Sequence, residues 1–328
     1  MNLFLSLSDP LSGMILVIGD PHFKCLNSSE TNILHQQSVK LVQELRPEFV
    51  VILGDVFHKH EDVHVGPLDR VTNWFEDLRL LVPVYVLVGN HDRRNNRVYL
   101  NTESSLRPFS SVPNITIVHE PIRVTTESGS YVFVPYVAPG RFREAIDTVQ
   151  WKDASVIFAH QEFRGAQLGS KITSGEGDLW DTSYPYVISG HIHTYHQLLV
   201  NLLYPGTPFQ ENFGEDEDKA LLLFDVEKKS YDRIRIPIPP KKQFRIPVSE
   251  VFTFVPPPDA KIQIRIQGTA GEMVGMMQHP YILNWKALGY DIIPEHIAST
   301  TSLPITIEKK KIPSFQERMF EVLSREHP

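Results

Sequence analysis

Short apolar runs rich in β-branched residues alternate with stretches of helical period through the first third of the chain. Residues 14–18, 49–53 and 84–88 are continuous apolar runs of the length of a fully buried strand. Between the first two, Ser28 or Ser29 can cap a helix that carries Leu34, Leu41 and Leu45 on one face and closes before Pro47. Residues 67–80 show the same period. Strand, helix, strand, helix, strand at this spacing predicts β-α-β units and a sheet that is parallel in this half. From Ile115 the runs shorten, to strands at 115–118, 122–125 and 131–134, the last two joined by the turn Glu127-Ser128-Gly129. A helix over 141–149 precedes buried strands at 155–159 and 186–189. Runs around 197–203, 220–225 and 231–236 read as antiparallel strands completing a second sheet. The predicted fold class is α/β: a four-layer sandwich of two mixed β-sheets flanked by helices, with a small C-terminal α+β cap.

Prolines 237, 239, 240, 247, 256, 257 and 258 crowd one stretch, which reads as a semi-rigid linker. The expected organisation is a catalytic domain over 1–240, a Pro-rich linker over 241–258, the cap over 259–300 and a tail over 301–328. In the cap, an alternating strand at 261–266 and short helices at 270–277 and 281–288 precede a last strand at 291–293. In the tail, Ser314-Phe315-Gln316-Glu317 is a capping-box pattern. The helix it would start sets Phe315, Met319, Val322 and Leu323 on one face, suited to docking a partner.

With 41% hydrophobic and 22% charged residues, the chain has the composition of a folded globular protein. The single cysteine, Cys25, excludes an internal disulfide and fits a reducing compartment. A lone thiol of this kind is usually a small buried hydrophobe. The N-terminus lacks the basic region of a signal peptide, and no apolar stretch approaches the roughly 20 residues of a membrane helix. An intracellular, soluble protein of cytoplasm or nucleus is expected, with no membrane partner. A formal net charge of −7 argues against non-specific coating of nucleic acid. It leaves a nuclease open, because divalent cations bring positive charge to where a phosphate must sit.

Polar clusters stand at the C-terminal ends of the apolar runs, where α/β sheets place their chemistry. Asp20 and His22 follow the first, Gly54-Asp55 with His58 the second, and Gly89-Asn90-His91-Asp92 the third. His160 ends a fourth, and Gly190-His191-Ile192-His193 a fifth. Any one of these motifs alone is usually an ordinary polar turn. Together, Asp20, His22, Asp55, Asn90, His160, His191 and His193 make a carboxylate, imidazole and amide donor set suited to two divalent ions. Two such cations need a shared anion, and Asp55, on the strand between those of Asp20 and Asn90, is the natural bridge. His191 and His193 flank one residue in an extended run, so their rings point the same way. Among the other histidines, His60 and His64 are at most rim residues.

D-x-H, G-D-x-x-H, G-N-H-D, a lone H and G-H-x-H resemble the calcineurin-like metallophosphoesterase superfamily over roughly the first two-thirds of the chain. Within it, G-D-V-F-H at 54–58, H-Q-E-F at 160–163 and Y-P-G-T-P at 204–208 are most similar to the nuclease subunit of SbcCD-type (Mre–Rad) double-strand-break repair complexes. The likeness is to the compact versions carried by phages and large DNA viruses. The resemblance implies one ion held by Asp20, His22, Asp55 and His193 and another by Asp55, Asn90, His160 and His191. It implies manganese first, with magnesium, iron or zinc as alternatives. It makes His91 the non-ligand catalytic histidine, with Asp92 orienting it, and gives His58 the task of positioning the phosphate. It also implies DNA as substrate, an ABC-type coiled-coil ATPase as partner, a homodimer, and a role in DNA repair or recombination.

Arg93, Arg94, Arg97, Arg164 and Lys171 are candidate contacts to a nucleic-acid backbone, and Phe57, Phe163 and Tyr195 candidate stacking partners for an unpaired base, with core packing the more usual fate of a residue such as Phe57. One alternative keeps the same site on nucleotides or other small phosphoesters. Another is a non-catalytic scaffold, which the retention of His91 and every ligand disfavours.

Overall fold

In the computed structural model, which describes residues 11–168 and 172–297, strand β1 (Leu11–Ile18) uses its alternation on both faces. Leu16 and Ile18 pack on helices α1 (Ser28–Leu45) and α2 (Val65–Arg79), through Leu34, Val42, Val71, Trp74 and Phe75. Ile15 and Val17 instead enter a core that also holds Phe133 and Phe158, from β6 (Ser130–Val134) and β7 (Val156–His160). All four β1 side chains are fully buried, each contributing roughly 1.5–3 kcal/mol relative to exposure. Helix α1 ends where Arg46 turns left-handed, its N–H bonded to Val42 O at 2.9 Å. Pro47 cannot continue the helix and opens the next strand.

β1 lies parallel to β2 (Pro47–Ile52), β2 to β3 (Val84–Leu87) and β3 to β4 (Ile115–Val118). The second sheet runs β5 (Ile122–Thr125), β6, β7, β8 (Tyr186–Gly190), β10 (Leu202–Tyr204), β9 (His196–Leu199). Its central pairings β6–β7, β7–β8 and β8–β10 are parallel. Its outer face packs on a further cluster with Phe142 of α3 (Phe142–Ile146), Trp151 and Trp180. The α/β sandwich of two mixed sheets with flanking helices is thus the observed fold.

Three local expectations change. Strands β11 (Leu221–Asp225) and β12 (Ser230–Ile234) do not complete the second sheet; they extend the first, β11 lying antiparallel to β1. Their apolar pattern suits either sheet, and only the return path of the chain decides. Part of the Pro-rich stretch is a strand, β13 (Lys241–Pro247), in a three-stranded sheet with β14 (Lys261–Gly268) and β15 (Asp291–His296). Its prolines stand at the end of the strand or outside it, where no ladder N–H is required. Cys25 is exposed rather than buried.

The chain divides into two compact units, one made of residues up to Gln243 with Pro256–Gln263, the other of Phe244–Val255 and the chain from Ile264. In the second, α4 (Ala270–Met276) and α5 (Pro280–Ala287) accompany β15 and the later residues of β13 and β14. Phe254 and Tyr281 pack around Trp285 there. The capping-box segment at Ser314 and the candidate contact Lys171 lie outside the described residues. No helix among the described residues is long and apolar enough to cross a membrane.

Candidate metal centre

The parallel strands of both sheets end on one side, and their ends carry the polar clusters together. Asp20, His22, Asp55, Asn90 and His160 are each at most 3% exposed. Asp20 Oδ2 accepts the N–H of His191 at 2.7 Å, and Asp55 Oδ1 that of His91 at 2.8 Å. Each carboxylate therefore fixes the backbone of another motif. Asn90 Oδ1 lies 3.1 Å from His160 Nε2 and 3.0 Å from His191 Nδ1. His22 Nε2 and His193 Nε2 stand 3.0 Å apart, and His22 Nε2 is 3.7 Å from Asp55 Oδ2. All seven candidate ligands, from the ends of β1, β2, β3, β7 and β8, are thereby in one cluster.

The backbone is bent to bring them there. His22, Asp55 and His191 have φ of 42°, 48° and 80°, a left-handed region that L residues seldom occupy outside sites held by their surroundings. The glycine of G-N-H-D has a steric reason. A Cβ on Gly89 would overlap the Asp55 carboxylate, so only glycine lets that side chain lie against the β3 loop.

The donor set fits divalent cations. Asp20, His22 and His193 offer ligand atoms within 4.8 Å of one another, as do Asp55, His160 and His191. Asp20 Oδ1 and His22 Nδ1 are buried without a hydrogen-bond partner, which is costly unless another ligand is supplied. Burial, with Asp55 nearby, pushes the Asp20 carboxyl up to about 7. Burial opposes ionisation of Asp55 too, but His160 beside it holds that carboxylate well below the usual range. Burial disfavours charge on His160, yet Asp55 and Asp20 raise it to about 9. A proton on His160 thus supplies the positive charge that a cation would bring. His22 is pushed down to about 3 by burial and stays neutral, as a ligand must.

The expected catalytic histidine, His91, is half-buried at the edge of the cluster. Its Nδ1 donates to the carbonyl of His58 at 2.5 Å. The role given to Asp92 needs correction: its carboxylate does not touch the His91 ring. It accepts the backbone N–H groups of Val56, Phe57 and Gly89 at 3.0–3.2 Å, tying the loop after β2 to the loop after β3. His58 joins the cluster edge, its Nδ1 2.6 Å from Glu211 Oε1.

Glu211 was missed by sequence reasoning. Its side chain is 5% exposed, pairs with Lys24 Nζ at 2.9 Å and lies 3.7 Å from His193 Nδ1. Burial raises its pKa, but His58, His22 and Lys24 together hold it far below the carboxylate norm. Glu215, 3.7 Å from His193 Nδ1, and Glu162, 3.8 Å from His191 Nε2, were missed as well. Glu162 lies inside H-Q-E-F, whereas the acidic pair after Y-P-G-T-P carried no local signal beyond its proximity to that motif.

Three candidate contacts to nucleic acid, Arg93, Phe57 and Phe163, are excluded by burial, whereas Tyr195 is half-buried. Arg93 is wholly buried, donating to the carbonyls of Val98 and His119 at 3.3 and 3.2 Å. Phe57 and Phe163 are core residues, 2% and 1% exposed. Tyr195 is covered by Arg233, whose guanidinium lies 3.6 Å from the ring centre. Arg94, Arg97 and Arg164 are exposed, and Arg94 pairs with Glu61.

Residues 13–195 match the family described as calcineurin-like phosphoesterase. The chain is 38% identical over 262 residues to "Putative phosphoesterase 244L" of Invertebrate iridescent virus 6, an alignment spanning 77% of this chain and 92% of that protein. It is 38% identical over 231 residues to "Putative phosphoesterase 078R" of Invertebrate iridescent virus 3, over 69% of this chain and 66% of that one. Among solved structures, the Pseudomonas putida nuclease MPE is 18% identical with a TM-score of 0.32, covering 65% of this chain and 85% of that one.

Proposed function

Since the chain belongs to the calcineurin-like phosphoesterase family, whose members are metal-dependent phosphoester hydrolases, we propose that it is a Mn²⁺-dependent DNA exonuclease or endonuclease. In this reading it is the nuclease half of an SbcCD-type complex with an ABC-type coiled-coil ATPase, a homodimer acting in DNA repair or recombination. The observation that supports this most is that two of the motif details carrying the resemblance, H-Q-E-F and Y-P-G-T-P, interlock, while the third reaches His91. His58 of G-D-V-F-H packs near His91, ring centres 5.9 Å apart. The Tyr204 hydroxyl of Y-P-G-T-P accepts the N–H of Phe163 and donates to Gln161 O of H-Q-E-F, at 2.9 and 3.0 Å. Thr207 N–H of the same motif donates to His193 O at 3.2 Å. Hollows of about 350 Å³ beside His58 and about 440 Å³ beside His191 and His193 border the cluster.

Two divalent ions, one on Asp20, His22, Asp55 and His193 and one on Asp55, Asn90, His160 and His191, would polarise the phosphate and acidify a water. The protein's own groups do the rest. His58, its ring held by Glu211, binds a phosphate oxygen. His91 has Nδ1 committed to a carbonyl, so it is the imidazolium form, protonated on Nε2 as well and held against burial by Asp55 nearby, that hands a proton from Nε2 to the leaving 3′-oxygen. Asp92 acts through the backbone, keeping His91 and His58 in register.

The test is cleavage of end-labelled duplex and single-stranded DNA with Mn²⁺ or EDTA, beside an aryl phosphodiester and with His91→Ala in parallel. Mn²⁺-dependent DNA cleavage lost in His91→Ala is the expected result. Turnover of small esters by the protein and its ATPase partner, with DNA left intact, would replace the nuclease reading by a nucleotide or small-phosphoester one.

A further inference from the structure

We propose that His60, which lies outside the family motifs, is a positioning residue that fixes the plane of the His91 ring. The inference rests on the phosphoesterase reading above, in which His91 acts on the leaving group. A ring held by the single bond from Nδ1 to the His58 carbonyl can still swing about that bond. His60 removes the freedom. Its ring lies over that of His91 with centres 4.5 Å apart and planes 17° apart, a closer contact than those of His22 at 5.0 Å and His58 at 5.9 Å. The His60 ring is itself anchored, Nδ1 donating to Arg93 O at 3.2 Å. Because a carbonyl only accepts, both rings keep a proton on Nδ1 and present Nε2 unprotonated when neutral. A pair between Arg94 Nε and Glu61 Oε1 at 3.1 Å closes the same two loops one residue further out. Arg93, buried and bonded to two carbonyls, gives the anchor a rigid base. Offset or parallel stacking of aromatic rings at this separation is attractive, and small misplacement of a reacting group is expensive in rate.

The test compares His60→Ala, His60→Phe and His60→Asn. In metal-free protein with labelled histidine rings, the His91 ring protons, assigned by their loss in His91→Ala, should sit upfield. They should move downfield in His60→Ala and return in His60→Phe. On an aryl phosphodiester with Mn²⁺, kcat should fall about tenfold in His60→Ala with KM unchanged, recover in His60→Phe and stay low in His60→Asn. Bound Mn²⁺ should be equal throughout. An unmoved ring signal, an unchanged kcat in His60→Ala, or a His60→Phe no better than alanine would overturn the proposal. If the wild-type protein hydrolysed no phosphoester while the ring signals behaved as described, the phosphoesterase reading would fall, and the catalytic part of this proposal with it.

Discussion

Asp92 shows how much one carboxylate can organise through backbone N–H groups alone. Its oxygens take three backbone N–H groups from two loops, and the residue is wholly buried. Truncation would strand all three donors away from water. Asp92→Ala should therefore destabilise the protein by about 2–4 kcal/mol, the cost of unmatched buried amides reduced by removal of a buried acid. Urea unfolding in EDTA, where metal plays no part, measures this. A loss below about 0.5 kcal/mol would mean that water replaces the carboxylate and that the loops are held by something else. Sequence reading found Asp92 as part of G-N-H-D but aimed it at His91. Adjacent residues in a tight turn point in different directions, and that is not visible in a string of letters.

At the scale of elements, the strand-end placement of every candidate ligand was legible because buried parallel strands are continuous apolar runs and their ends are abrupt. What was not legible came from pairings across long sequence distance. β11 joins β1 rather than the second sheet, and Glu211 reaches His58 from a loop more than 150 residues away. Glu30 is a further case. In the first turn of α1 and 1% exposed, it receives Lys261 Nζ at 2.8 Å and Lys241 Nζ at 3.5 Å, from the starts of β14 and β13. Burial opposes its ionisation, but the bonds from Lys261 and Ser29 bring its pKa below the usual value. Nothing in the apparent linker announces this anchor. Glu30→Ala should cost about 1–3 kcal/mol, less than a fully buried pair because Lys261 is 37% exposed. Thermal unfolding measures this loss; Lys241, 10% exposed, keeps its bond to Glu211 O at 2.9 Å.

For the larger of the two units, the candidate metal cluster is a fastener between the two sheets. Asp20, Asp55 and Asn90 follow strands of the first sheet; His160 ends a strand of the second and His191 follows another. Without metal the cluster has a pH dependence whose sign follows from the shifts. Asp20, raised to about 7, keeps in the folded state a proton that the unfolded chain loses near its ordinary value. Its contribution is therefore full at low pH and lost as pH rises through about 7. His160, raised to about 9, contributes fully below its ordinary value and loses this as pH climbs toward 9. In the other direction, His22, lowered to about 3, and Asp55, held low, make the fold lose stability on acidification. The metal-free protein should be most stable near pH 6. A divalent ion must displace the protons of Asp20 and His160, so its binding strengthens with pH and releases protons. At about a hundredfold excess over Kd it adds about 2.7 kcal/mol, or about 5–10 °C in Tm. Melting curves at pH 6, 7 and 8, with Mn²⁺ or EDTA, should show Tm in EDTA falling with pH and the Mn²⁺ increment growing at fixed concentration. An increment that shrinks or stays level from pH 6 to 8 would mean that the ion binds without displacing those protons, and so away from Asp20 and His160.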